Sequence, residues 1–328
     1  MKQVRVVIIG SGPAGFAAAL YTARAQLSTV VITGDKLGGQ MSVTHEIENY
    51  LGVLGEVSGP DLTNKFMQHA QHFGAEVAFE MVTEVDFSSG SPFTVKTTSE
   101  TYSADAVIVT AGANPRELKV PGEQEYTGRG VSYCGTCDGF FFKGKPIVVV
   151  GGGDSAIEEA IFLTKFATSV NVIHRRDSLR AGAQLQDQAR KNPKISFTWD
   201  TAVEQIHGRD DGSVTGVRLQ NLKTGEMSEQ PTEGVFIFIG HDPNSGLFKG
   251  QLATNDVGYV ITDALYRTNV EGVFAAGEIQ DQVWRQVATS VGQGTGAGMS
   301  AIHWLQKHEE TLQTLPAQAE TEAQPAGD

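Results

Sequence analysis

Apolar positions along this chain come in short runs closed by glycine-rich turns. Val4 to Ile9 is one such run, short enough to predict a buried strand, and Gly10-Ser11-Gly12-Pro13-Ala14-Gly15 follows at once. Ala17 to Ala25 then predicts a helix and Val30 to Ile32 a second strand. Ile147 to Val150 opens a second unit of the same kind, with the turn Gly151-Gly152-Gly153-Asp154-Ser155-Ala156, a helix from about Ala156 to Ala167 and a strand from Val170 to Ile173. The two turns lie a domain's length apart, which predicts a pseudo-repeat of two nucleotide-binding units. Between them Phe93 to Lys96 and Ala106 to Val109 predict strands, and Asn114-Pro115 breaks regular structure. Val235 to Ile239 predicts another buried strand, ending in Gly240-His241-Asp242-Pro243-Asn244. Val273 to Ala276 predicts a late short strand that closes on Gly277-Glu278.

Ala288 to Leu305 predicts a helix, although Gly292, Gly294, Gly296 and Gly298 are poor helix formers. Glycines there point to close packing or to a nearby nucleotide. From Leu315 to Asp328 the chain is rich in Gln, Ala, Glu and Pro, the composition of a disordered tail.

The two turns carry the first chemistry. In a GxGxxG turn the first glycine allows the tight bend, the second lets backbone approach a pyrophosphate, and the third lets helix and strand pack closely. The helix N-terminus then offers free N–H groups to the phosphates. After the first unit's second strand stands Thr33-Gly34, where an NAD site would carry an acid. After the second unit's strand come His174-Arg175-Arg176-Asp177 and then Arg180. Guanidinium forks match a 2′-phosphate, so the second site predicts NADPH over NADH.

With 328 residues the chain is long enough for two domains, and a net charge of −13 argues against nucleic acid and anionic membranes as partners. No apolar run approaches the ~20 residues that span a bilayer. The start of the chain lacks a signal-peptide layout, which predicts a cytoplasmic protein. The 2 cysteines, Cys134 and Cys137, form one CxxC motif followed by Asp138. In a reducing compartment such a pair points to thiol–disulfide exchange, in which one thiol attacks and the other resolves. Asp138 stands ready to give or take a proton. Tetrahedral zinc would need four ligands, and there is no second CxxC; His69 and His72 read as solvated residues of an amphipathic helix. Phe140-Phe141-Phe142 reads as core rather than as a docking surface, and Trp199, Trp284 and Trp304 read most simply as packing residues, Trp284 least so.

At Cys134-Gly135-Thr136-Cys137-Asp138-Gly139, taken with both glycine turns, Gly38-Gly39-Gln40, Glu48-Asn49, His174-Arg175-Arg176-Asp177 and Arg285-Gln286, the chain resembles the low-molecular-weight, bacterial-type NADPH-dependent thioredoxin reductases. The resemblance covers roughly residues 4 to 310. It implies an α/β fold of two Rossmann-like dinucleotide-binding domains, of the class II pyridine nucleotide-disulfide oxidoreductase type. A discontinuous FAD domain (residues 1–113 and 244–312) would hold an inserted NADPH domain (114–243) carrying the CxxC, with a tail over 313–328. FAD would lie against Gly10, Gly12, Pro13, Ala14, Gly15, Thr33, Gly34, Gly38, Gly39, Gln40, Asn49, Ala111, Gly112, Gly277, Glu278, Arg285, Gln286 and Val287. NADPH would lie against Gly151, Gly153, Asp154, Ser155, Ala156, Glu159, His174, Arg175, Arg176, Arg180 and Gly240. Electrons would pass from NADPH through FAD to the Cys134–Cys137 disulfide and on to thioredoxin, in a homodimer, with rotation of the inserted domain between half-reactions. Cys137 would face the flavin, Cys134 would attack thioredoxin, and Asp138 would handle the proton. Two departures stand out. Glu278 occupies a position where the family usually has Asp, and Gly135 one where Ala is commoner, which predicts a looser redox turn. A ferredoxin-fed flavin reductase and a non-catalytic redox sensor are the alternative readings.

Overall fold

The computed structural model describes residues 1–314 apart from His45 and Glu56, so the tail read over 315–328 lies outside the described residues. The first unit is β1 (Lys2–Ile9), α1 (Pro13–Arg24) and β2 (Thr29–Ile32), followed by α2 (Gly59–His72), β3 (Glu76–Ala78), β4 (Val82–Asp86), β5 (Phe93–Thr97) and β6 (Thr101–Val109). The helix begins at Pro13, four residues earlier than its apolar pattern suggests. Proline fixes φ and needs no N–H partner in a first turn, so it opens a helix well. The strands form one sheet in the order β3-β2-β1-β6-β5-β4, in which β1, β2, β3 and β6 run parallel, β5 pairs antiparallel with β6, and β4 antiparallel with β5. β1 lies in the middle, and its residues divide between two cores: Val6 and Ile8 face one, Val7 and Ile9 the other. That two-sided burial explains why the run is continuously apolar rather than alternating.

The chain leaves this sheet through β7 (Ala113–Pro115), then forms β8 (Val131–Ser132), α3 (Gly135–Asp138), β9 (Pro146–Gly151), α4 (Asp154–Leu163), β10 (Ser169–Ile173), α5 (Ala183–Lys191) and β11 (Ile195–Thr198). β12 (Thr201–Gly208), β13 (Val214–Asn221) and β14 (Met227–Pro231) make a three-stranded antiparallel sheet, and β15 (Gly234–Phe238) returns to the parallel one. The parallel sheet has the order β11-β10-β9-β15-β8. Here too the central strand splits its side chains: Ile147 and Val149 pack under α4, and Val148 and Val150 pack against the antiparallel sheet.

The chain comes back through β16 (His241–Pro243), which pairs antiparallel with β7 so that Asp242 stands opposite Asn114. Backbone bonds from Arg116 N–H to the Gly240 carbonyl (2.9 Å) and from Asn244 N–H to the Gly112 carbonyl (3.0 Å) lengthen this ribbon at both ends. β17 (Val273–Ala275) then rejoins the first sheet beside β6, and α6 (Val287–Thr314) packs on α1.

The glycines of α6 are explained by that packing. A Cβ on Gly294 would overlap the Ala14 carbonyl, one on Gly296 would enter the Tyr266 ring, and one on Gly298 would lie 3.1 Å from the Ala18 carbonyl; Gly292 faces open space. Gly294→Ala should therefore push α6 off α1 and cost about 1–3 kcal/mol in urea unfolding. Gly292→Ala, on the same helix, should be neutral or stabilise by up to about 1 kcal/mol, because only helix propensity changes there. Equal effects of the two substitutions would contradict this account of the crossing.

Candidate active site

The first turn folds as the spacing predicts. Gly10 has φ +112°, and Cβ atoms on Gly10 and Gly15 would overlap the Thr110 and Gly10 carbonyl oxygens. Gly12 caps α1 with extended backbone, no side chain caps the helix, and its first turn holds no acid. Its N–H groups are left for an anion. The second turn repeats the glycine arrangement, with Gly151 wedged against the Phe238 carbonyl and Ala156 and Gly153 capping α4, but α4 carries Asp154 in its first turn, where it accepts the Gly182 N–H.

Both turns open onto one cavity of about 2190 Å³, well beyond the 300–1,000 Å³ of a single-ligand pocket. The cavity brings together most residues that the sequence singled out. On the first-sheet side these are Gly10, Gly12, Pro13, Ala14, Thr33, Gly34, Gly38, Gly39, Gln40, Asn49, Ala111, Gly112, Gly277, Glu278, Arg285, Gln286 and Val287. On the other side they are Cys134, Cys137, Asp138, Gly153, Asp154, Ser155, Ala156, Glu159, Arg180 and Gly240. Gly15, Gly151, His174, Arg175 and Arg176 do not line it. Gly15 and Gly151 act beneath the turns. His174 is buried under Gly152, so its side chain supports the phosphate turn from below. Burial, with Arg176 and Arg180 nearby, lowers its pKa. Arg175 and Arg176 are exposed, and neither they nor Arg180 forms an ion pair among the described residues.

Cys134 and Cys137 form a disulfide, with Cα atoms 5.3 Å apart across the start of α3. Cys134 caps this short helix, and its sulfur accepts the Cys137 N–H at 3.2 Å. Ser132, which the sequence reading missed, organises the turn. Its hydroxyl donates to Asp138 Oδ2 at 2.6 Å and accepts the Cys134 N–H at 3.1 Å. Burial raises the pKa of Asp138, and the Ser132 hydrogen bond partly offsets it. A carboxyl held this way keeps a proton to higher pH than a solvated one.

The looser turn expected from Gly135 is not what the structure shows. Gly135 is buried, and the space a Cβ would take is filled by Glu159 Oε2. The aromatic run divides: Phe142 is buried, whereas Phe140 is 58% exposed. Trp284 is not a packing residue, being 66% exposed.

The redox turn is docked against the first-sheet side by Gln286. Its Nε2 lies 3.3 Å from Thr136 Oγ1 and 3.8 Å from each sulfur, and its Oε1 accepts from Asn49 at 3.2 Å. Deeper in, Glu278 lines the cavity with its pKa pushed up to about 7 by burial, against a partial lowering by Arg285. Arg285 Nε is buried without a hydrogen-bond partner. At the neck, burial and Arg285 lower the pKa of His241 to about 4, so it is neutral near pH 7.

These features fit nucleotide cofactors. Two helix starts without a side-chain cap suit pyrophosphates. Arg285 Nε is buried without a partner beside a cavity lined by Glu278, and the unpaired Arg175, Arg176 and Arg180 suit a phosphate. Among the described residues no helix is long and apolar enough to cross a membrane.

The family model described as pyridine nucleotide-disulphide oxidoreductase matches residues 4–294. The thioredoxin reductase of Bacillus subtilis (strain 168) is 49% identical over 315 residues, covering 96% of this chain and 98% of that protein. The crystal structure of thioredoxin reductase from Streptococcus pyogenes superposes with a TM-score of 0.89 at 44% identity, covering 93% of this chain and 99% of that one. Thioredoxin reductase of Lactococcus lactis in its FR conformation has 42% identity over the same 93% of this chain and 99% of its own, yet a TM-score of only 0.62.

A folded-state pKa of about 7 for Glu278, above its ordinary 4.5, means that the native state holds this proton more tightly than the unfolded chain. The resulting stability is complete below about pH 4.5 and is lost as pH rises through 7. Glu278→Gln should remove that loss, so urea unfolding should show the variant gaining on the order of 1–3 kcal/mol relative to the parent between pH 5 and pH 8. A parallel pH profile for the two proteins would contradict it.

Proposed function

Because the chain belongs to the pyridine nucleotide-disulphide oxidoreductase family, and within it to the thioredoxin reductases, we propose that its disulfide-reductase activity uses bound FAD and NADPH to reduce a thioredoxin-like protein. The observation that carries this reading is the shared cavity: both glycine turns and both redox sulfurs open onto it. FAD is assigned to the first turn together with Glu278, Arg285 and Gln286, and NADPH to the second turn with Arg175, Arg176 and Arg180. The family resemblance further supports a homodimer and a cytoplasmic setting.

When bound, NADPH and FAD supply the hydride chemistry that delivers two electrons to sulfur. The chain's own residues do the rest. As the Cys134–Cys137 bond breaks, the Cys137 N–H that already points at the Cys134 sulfur stabilises a thiolate there. Cys137 would face the flavin while the pair is reduced; once the dithiol is exposed, Cys134 would attack the partner disulfide and Cys137 would resolve the mixed disulfide. Asp138, poised by Ser132, gives and retrieves the proton of the leaving sulfur.

Gln286 holds the redox turn against the first-sheet side, where the residues assigned to FAD lie, while the residues assigned to NADPH lie in the inserted half; on this reading both the turn and NADPH would need to meet the flavin. The inserted half must therefore turn on its neck between half-reactions, which would also expose the dithiol to a protein. The neck is suited to this: two crossings, tied by Arg116 to Asp242 (2.6 Å) and Asn114 to Asn244 (3.1 Å), with Gln40 reaching Asn114 at 2.7 Å. Similar identities with dissimilar TM-scores among the relatives support two such arrangements.

NADPH-dependent reduction of thioredoxin, followed with a dye disulfide, tests the reading. Cys134→Ser and Cys137→Ser should each abolish turnover while the protein stays yellow. Arg175→Ala with Arg176→Ala should raise the KM for NADPH roughly tenfold or more and leave that for NADH nearly unchanged. Activity fed by ferredoxin but not by NADPH would favour the first alternative reading, and no turnover with either donor the redox sensor.

A further inference from the structure

Glu159 is a half-buried acid at the edge of the cavity, placed by resemblance among the NADPH contacts but given no step in the reaction described above. It sits on α4, and its Oε2 is shielded from solvent, lacks a hydrogen-bond partner, and fills the space where residue 135 would carry a Cβ. Gly135 is the first residue of α3, immediately after Cys134. The carboxyl is therefore lodged against the backbone of the redox helix. We propose that Glu159, seated in the space that Gly135 leaves open, is a positioning residue for the redox pair and sets its reduction potential through the charge on its carboxyl. The proposal rests on the reading of Cys134–Cys137 as the redox centre.

Reducing the pair breaks the S–S bond and adds two electrons and two protons. The hydride of NADPH brings the electron pair and one proton, and solvent brings the other. Where one sulfur remains a thiolate, its negative charge develops on a helix whose first residue, Gly135, lies against the Glu159 carboxyl. An ionised Glu159 opposes that charge, the more so because its Oε2 is shielded from solvent, while a protonated one does not. Burial pushes the Glu159 pKa up to about 7, with Glu158 adding to the rise, so the switch falls between the two regimes near neutral pH.

Few other charges face this carboxyl. α3 carries Asp138 along with Cys137, and Cys134 caps it. α4 itself carries Asp154 and Glu158. α5 carries Asp187 and Lys191, which pair with each other at 2.6 Å, and Arg190, which donates to Gln186 at 3.0 Å. The strands β9, β10 and β15 packed against α4 carry no ionisable side chain.

The test is to equilibrate the purified protein in dithiothreitol redox buffers from pH 6 to pH 9. Free thiols are then alkylated, and the dithiol-to-disulfide ratio is read by mass, which requires no turnover. Glu159→Gln should match the parent below about pH 6. Above pH 7 it should favour the dithiol about tenfold, equal to roughly 30 mV for a two-electron couple. Glu159→Asp should keep the parent's pH dependence. Gly135→Ala, whose methyl displaces the carboxyl, should weaken it. Coincident curves for parent and Glu159→Gln, or an offset of the same size at every pH, would overturn the proposal. A pair that no buffer reduces would overturn the redox-centre reading along with it.

Discussion

Two strands of backbone, β7 and β16, carry every covalent connection between the parallel sheet that bears the cysteines and the sheet that bears the first glycine turn. Each half keeps its own cores, built from alternate faces of its central strand. Among the described residues, polar side-chain bonds run between them: Gln286 against the redox turn, and Asn114 against Gln40 and Asn244. Contacts of this kind are individually weak in water. Separate cores joined by two strands and polar side-chain bonds are the mechanical condition for the proposed swivel.

The same construction accounts for where charge is buried. The cavity floor holds Glu278 and Glu159, each raised to about 7 by burial, and Asp138, raised as well. Three acids inclined to keep their protons line the cavity onto which both glycine turns and the sulfurs open. Such a cluster costs stability as pH rises and is tolerated where the chemistry uses it.

Features carried by short sequence stretches were legible from the sequence. Gly10, Gly12 and Gly15 announce a turn because their spacing matches one strand–helix junction, and Cys134 and Cys137 meet because they are three residues apart. Contacts across the fold were not legible. Nothing in the sequence around Gln286 places its amide at sulfurs some 150 positions away, and nothing around Gly135 announces Glu159. The antiparallel sheet was missed for local reasons. β12 breaks its alternation with register shifts at Val203/Gln205 and His207/Gly208, and β14 is an almost wholly exposed edge strand without an apolar signal. α6 runs on to Thr314 past the last apolar periodicity, because Gln, Lys and Glu extend a helix without needing a core.

The central claim is that the inserted half must turn about its neck for electrons to reach the cysteines and leave them. A non-reducible cross-link joining the two halves beside the Gln286–Thr136 contact tests this most directly. The account predicts that the linked protein keeps its yellow flavin and its disulfide but loses NADPH-driven reduction of thioredoxin, and regains it when a cleavable version of the linker is cut. Full turnover with the link intact would contradict it.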